Sequence, residues 1–191
     1  MNMMRNKLRY NNTAIALHWL VALAMVVNVV LAWCFAIVGD DNIRFAIDTH
    51  KSIGITVLGL ALLRVLWRFR FAPPAFPLVQ SWWQRHAMRV AHFCLYALII
   101  LLPLSGWLHD SAWKDAATHP MHWFGLMPWP RIAWISQIEP VSKEHLHELF
   151  GAWHSYLSWL LYGLFVLHVT AALKHHFSRR ERVRGRGILP G

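Results

Sequence analysis

Charge is scarce in this chain. Only 15% of its 191 residues are Asp, Glu, Lys or Arg, while 57% are hydrophobic and twelve are tryptophan. Soluble domains carry about 25% charged residues, so an ordinary water-facing globule is excluded. Ala14–Val38 has no charged residue, and neither has Leu149–Leu173. Each run exceeds the roughly 20 residues that a helix needs to cross a bilayer. Cysteine is limited to Cys34 and Cys94. They fall towards opposite membrane faces, which excludes a disulfide between them. No C-x-x-C-H element exists, so haem cannot be attached covalently by that route. The first apolar run is too long for a secretory h-region and lacks a small-residue cleavage site, so it is expected to remain as a span. No internal repeat and no low-complexity segment is present.

What charge there is has a pattern. Fourteen of the nineteen Lys and Arg residues lie in the N-terminal tail, in Arg64–Arg89, or from Lys174 onward. Eight of the nine acidic residues lie in the other two connections, Gly39–Lys51 and His109–Glu148. Alternation of this kind is the positive-inside pattern of an even number of spans with both termini cytoplasmic. The net charge of +10 is therefore a topology signal with anionic headgroups as its contacts, and nucleic acid is not an expected partner.

One all-α domain over residues 1–191, an integral membrane four-helix bundle, accounts for the length. Its spans are expected at about 13–38, 47–70, 84–108 and 145–176. Asn11-Asn12-Thr13 offers caps for the first. Pro73-Pro74 cannot continue the second, and Pro103 predicts a kink in the third. The connection from Asp110 to Lys143, with Trp113, Trp123, Trp129 and Trp134, reads as a loop lying on the membrane surface.

Histidines carry the chemistry. An ionisable ring inside a bilayer is costly and normally faces the bundle interior with a partner. His18 and His168 fall towards the cytoplasmic ends of their spans, and His50 and His154 towards the outer ends. His154 and His168 are 14 residues apart, hence about 40° apart round the helix and roughly 21 Å along it. The pairs that can share a metal are His18 with His168 and His50 with His154, each a bis-imidazole set for one b-type haem iron. A porphyrin lies against the helix around its ligand, where a bulky neighbour one turn on would obstruct it. The residues four positions on are Ala22, Gly54, Ser158 and Ala172, all small and on the ligand's face. His92, His109, His122 and His145 are followed there by Tyr96, Trp113, Leu126 and Leu149; His147, followed by Gly151, passes. Arg64 lies 14 residues after His50, one haem level deeper, where it suits a propionate or snorkels to headgroups. Lys51 beside His50 either steers an anionic substrate or anchors its helix at the interface. His147, two turns outward of His154, is a candidate for binding substrate or relaying protons, and His92 competes for a cytoplasmic role.

The segments IALHWL at 15–20, THKSIGI at 49–55, RVLWRF at 64–69, AWHSYLSW at 152–159 and VLHVTAALKHHF at 166–177 resemble the bacterial cytochrome b561 family. The resemblance spans nearly the whole chain apart from the first dozen residues, the outer loop and the last dozen. It implies a four-helix protein of the bacterial cytoplasmic membrane with two haem b groups, axial ligands falling on His18, His50, His154 and His168. It also implies electron exchange between membrane quinone, ubiquinone foremost, and a small redox substrate or periplasmic redox protein. Superoxide oxidation coupled to ubiquinone reduction is among the family's activities. The long Trp- and Pro-rich outer loop departs from the family pattern. Two other functions fit the residues less well. One is a haem b subunit relaying electrons between a periplasmic redox enzyme and quinone. The other is a histidine-lined transporter of divalent metal, for which the spans hold too few polar groups.

Overall fold

The computed structural model describes residues 11–71 and 81–185. The N-terminal tail and the proline-rich stretch at 73–77 lie outside the described residues, as do the side chains of His175 and His176. Among the described residues, four helices are long and apolar enough to cross a membrane. These are α1 (Asn12–Cys34), α2 (Asp40–Arg70), α3 (Trp82–Ser111) and the long α5 (Pro140–Gly185). Between α3 and α5 run a 3-10 turn (Lys114–Ala117), strands β1 (His122–Trp123) and β2 (Met127–Pro128), and a short helix α4 (Ala133–Ser136).

Caps explain where the helices begin. Asn11 accepts the Thr13 N–H at 2.8 Å and opens α1. Ser81 and Gln84 form a capping box at the start of α3, two residues before its apolar pattern sets in. Pro140 occupies the first position of α5, where a missing N–H costs nothing. Glu139 ahead of it accepts from Val141 N–H, Ser142 N–H and the Ser142 hydroxyl. Those bonds hold the Glu139 carboxyl below its ordinary value. The cap's contribution is thus complete above the ordinary Glu range and lost as pH falls through the depressed folded value.

Helix ends depart from the apolar limits. Helix α1 stops at Cys34, where the Ile37 and Val38 N–H groups both turn back to the Cys34 carbonyl. Helix α2 starts seven residues before the expected limit of 47, because Asp40 and Asp41 suit a helix N-terminus. Helix α3 reaches Ser111, and α5 begins before 145 and continues past 176. Helices do not end where the apolar slab does.

Packing is sequential: α1 lies on α2, α2 on α3 and α3 on α5. Val21, Ala61, Leu98, Ile99, Leu102 and Leu161 form the shared core. Helices α1 and α5 instead face each other across two cavities. Large side chains such as Trp19, Leu23, Trp159 and Leu160 point outward and stay exposed, as expected where lipid is the solvent.

The α3–α5 connection is a folded cap rather than a loose surface loop. Ile135 is fully buried with Ala112 and Phe150. The Ser111 hydroxyl accepts the Ile132 N–H at 3.1 Å, and the Trp107 indole donates to the Pro130 carbonyl at 2.9 Å. The two short strands interrupt the otherwise helical chain.

Candidate functional site

The two cavities lie at opposite ends of the bundle. The larger, about 710 Å³, opens at the end carrying most of the acidic residues and is lined by His50, His154, His109 and His147. The smaller, about 350 Å³, lies towards the basic end and is lined by His18, His168, His92 and Arg64. Its other walls are apolar, chiefly Val, Leu and Ile. Each sequence-derived pair thus lines one cavity.

In the larger cavity the ring centroids of His50 and His154 are 6.2 Å apart, at 79° to each other. His50 Nδ1 lies 3.2 Å from the Asn28 carbonyl, and His154 Nδ1 lies 3.2 Å from the Leu102 carbonyl. A carbonyl can only accept, so both Nδ1 atoms carry the proton and both Nε2 atoms are bare. Such second contacts are what fix the ring orientation of a metal-ligating histidine. The 6.2 Å separation leaves room for one metal at about 2 Å from a nitrogen of each ring, the usual metal–imidazole length. Ser105 Oγ, 3.0 Å from His154 Nδ1, steadies the same ring.

Small residues make this space. A Cβ on Gly106 would stand 3.3 Å from His154 Cε1, tighter than an ordinary contact. Gly54 and Ser158 both line the cavity, as their position one turn beyond His50 and His154 predicts. Asn28 is buried on the same wall, and its side-chain oxygen has no hydrogen-bond partner among the described residues. Gly106 and Asn28 were not singled out in the sequence. A lone Gly or Asn in an apolar run was the available signal, and it is a weak one.

The smaller cavity is arranged differently. Arg64 Nη1 donates to His18 Nδ1 at 2.8 Å, which leaves the proton of a neutral His18 on Nε2. The Arg64 guanidinium also lies 5.1 Å from the centre of the Tyr96 ring. His168 meets His92 edge to face at 5.5 Å, and His92 Nδ1 donates to the Met88 carbonyl at 2.7 Å. Hence the cavity holds three imidazoles rather than two. For His18 to offer Nε2 to a metal, Arg64 must release it. A guanidinium freed in this way is available to an acidic group in the same cavity.

At the mouth of the larger cavity, His109 and His147 stack at 3.9 Å. Each donates its Nδ1 proton to the other's backbone carbonyl, at 2.9 and 3.0 Å. This clasp ties the outer ends of α3 and α5, and it explains Gly151. A Cβ there would stand 2.9 Å from His109 Cε1, and the ring cannot retreat without losing its bond. Gly151→Ala is expected to destabilise the protein by about 1–3 kcal/mol, the usual cost of overpacking. Thermal unfolding in detergent would show it, and adding His109→Ala should recover most of the loss.

Lys51 is neither a free steering charge nor a headgroup anchor. Its Nζ lies 2.6 Å from Asp110 Oδ1 and 3.6 Å from Asp48 Oδ1, with 16% of the side chain exposed. The second oxygen of Asp110 accepts from Arg131 Nε at 2.8 Å. Arg131 also holds the Ala116 carbonyl. Among the described residues lining this mouth, the more accessible cation is Arg44, 41% exposed against 16% for Lys51, stacked at 5.0 Å over Trp113 and paired at 3.3 Å with Asp48.

Two end-to-end cavities with inward imidazoles match the donor set of a bis-histidine membrane cytochrome. The comparisons agree. The family model for prokaryotic cytochrome b561 matches residues 9–186. "Cytochrome b561 homolog 2" of Escherichia coli (strain K12) is 33% identical over 177 residues, covering 91% of this chain and 87% of that protein. "Probable superoxide oxidase CybB" of Yersinia pestis is 27% identical over 181 residues, covering 91% and 92%. The chain belongs to the prokaryotic cytochrome b561 family, multi-pass electron-transfer proteins of the bacterial inner membrane.

Proposed function

We propose that the chain holds two haem b groups, one between His50 and His154 and one between His18 and His168. They would serve one-electron exchange between a redox substrate at the acidic end and membrane quinone, ubiquinone foremost. The observation that carries this is the pairing of the His50 and His154 rings, 6.2 Å apart in one cavity with each Nδ1 held by a backbone carbonyl. When bound, the haems supply the one-electron chemistry; the protein supplies spacing, ligand orientation and local charge. Two imidazoles on one iron leave no open coordination position, which favours electron transfer over oxygen binding.

The charge pattern supports placing both termini in the cytoplasm and the larger cavity on the periplasmic side. Superoxide is the small donor suggested by the name of the Yersinia relative. For an anion of that kind Arg44 is the more accessible cation at the mouth: its pair with Asp48 is solvent-exposed, whereas Lys51 is held by the buried Asp110. His147 and His109 offer bare Nε2 atoms there, because each Nδ1 is spent on a carbonyl. They are the candidate contacts for a substrate that donates a hydrogen bond. Arg64 would turn from His18 to a propionate of the cytoplasmic-side haem. A bare-metal transporter has less support: among the described residues no group of three or more His, Cys, Asp or Glu could hold a metal ion.

The test is a dithionite-reduced minus air-oxidised spectrum of the purified protein, with haem quantified per chain. Sharp b-type bands at two haems per chain are expected, with quinone-dependent reoxidation and superoxide assays to follow. A colourless protein from haem-replete cells would overturn the proposal.

A further inference from the structure

Between Ala116 and Pro130 the acidic-end connection carries no Asp, Glu, Lys or Arg. Within it β1 and β2 pair antiparallel, Trp123 opposite Met127. The Leu126 N–H closes the turn on the Trp123 carbonyl at 3.0 Å. Phe124 (φ 50°) and Gly125 (φ 69°) both take the left-handed conformation that a type I′ turn requires. Gly125 adopts it freely, but an aromatic residue there is unusual and needs holding.

Helix α2 provides the hold. The Phe124 N–H donates to Ser52 Oγ at 2.9 Å, and the same hydroxyl lies 3.3 Å from the His122 carbonyl. The Trp123 indole donates to Thr56 Oγ1 at 3.0 Å. Ser52 and Thr56 are one turn apart on one face, and Ser52 is fully buried beneath the hairpin.

These bonds set the depth. Lys51 meets Asp110, which stands just beyond the uncharged run Val90–Leu108. That run is about 28 Å long at helical rise, close to the roughly 30 Å of a bilayer's hydrocarbon core. The Lys51–Asp110 pair therefore marks the edge of the apolar slab. Ser52 and Thr56 lie inward of Lys51 by about 1.5 and 7.5 Å along the helix. The hairpin pinned to them reaches inside that edge. What it presents outward is mainly apolar: Phe124, Leu126 and Met127 are 46%, 78% and 49% exposed, with His122 of β1 the exposed polar side chain beside them. Non-helical backbone is tolerated at such depth only where its polar groups are satisfied by protein. Here the Phe124 and Leu126 N–H groups and the Trp123 carbonyl have protein partners, while the Ser52 hydroxyl gives its proton to the Asp48 carbonyl at 2.8 Å.

We propose that this hairpin is a re-entrant element whose tip sits among the acyl chains of the leaflet at the acidic end. Its partner is lipid rather than a docked soluble protein. Met121, at the base of β1, lines the larger cavity, so a lipid-anchored hairpin also forms part of that cavity's wall.

Nitroxide labels at Leu126→Cys and Met127→Cys, on a C34S/C94S background of the full chain in phosphatidylcholine liposomes, would test this. Power-saturation EPR compares collision with oxygen, enriched in lipid, and with a water-soluble nickel chelate. Labels at Leu23→Cys on α1 and Lys114→Cys in the connection set the lipid and water limits. The expected result is that both hairpin labels favour oxygen severalfold, as Leu23 does. A nickel preference like that of Lys114 would overturn the proposal. So would low access to both reagents, which would mean that protein covers the tip. Neither outcome depends on haem, so this test stands or fails apart from the proposed function.

Discussion

His154→Ala is expected to lower haem b from two per chain to one. The remaining haem should retain a bis-histidine spectrum, because His18 and His168 lie in the other cavity. His50→Ala should give the same result, since its ring faces His154 at 6.2 Å. At the basic end His168→Ala should remove the other haem, and a double His154→Ala/His168→Ala protein should be colourless. The informative comparison is His18→Ala against His92→Ala. His92 already touches His168, whereas His18 is held by Arg64. If His18 is the ligand, His92→Ala keeps two haems and His18→Ala keeps one. The reverse would move the axial pair to His92 and His168. Haem quantification and low-temperature spectra of the six variants read this directly.

Asp110→Ala should be among the most destabilising single changes outside the histidines. Its carboxylate, 6% exposed, holds both Lys51 and Arg131, themselves 16% and 11% exposed. Removing it leaves two poorly solvated cations facing each other, and breaking a buried pair from one side costs about 3–5 kcal/mol. Lys51→Met is the milder change. Asp110 then still accepts from Arg131, so the loss is that of one charged hydrogen bond, roughly 1–3 kcal/mol. Thermal unfolding in detergent should rank wild type above Lys51→Met and Lys51→Met above Asp110→Ala. Equal losses would mean that Lys51 alone anchors the carboxylate.

The spans were legible because hydrophobicity is a local property. A run without charge must be paired with lipid or core wherever the chain goes, and four such runs with alternating flanks admit few arrangements. The sorting of four histidines between two ends was legible for the same reason, since helical rise converts sequence distance into depth. Ala22, Gly54 and Ser158 line the two cavities as their spacing from His18, His50 and His154 suggests, whereas Ala172, four residues after His168, is exposed and lines neither. Gly151 passed the same test for another reason, because it makes room for His109 on a different helix. Spacing along one helix cannot distinguish space made for a cofactor from space made for a neighbour.

The sequence by itself thus determined a four-span bundle of the cytochrome b561 kind, and which histidines lie at which end. Tertiary structure decided what each ring does there. The proton on His50 is placed by a carbonyl 22 residues away, that on His154 by one 52 residues away. His18 takes Arg64 as its partner across 46 residues. The connection between α3 and α5, which has the composition of an interfacial loop, is fastened to α2 by Ser52 bonding Phe124 across 72 residues. Composition and period report on one helix at a time. Hydrogen bonds and ion pairs between helices depend on where each is turned and how deep it sits, and only packing the whole chain settles both.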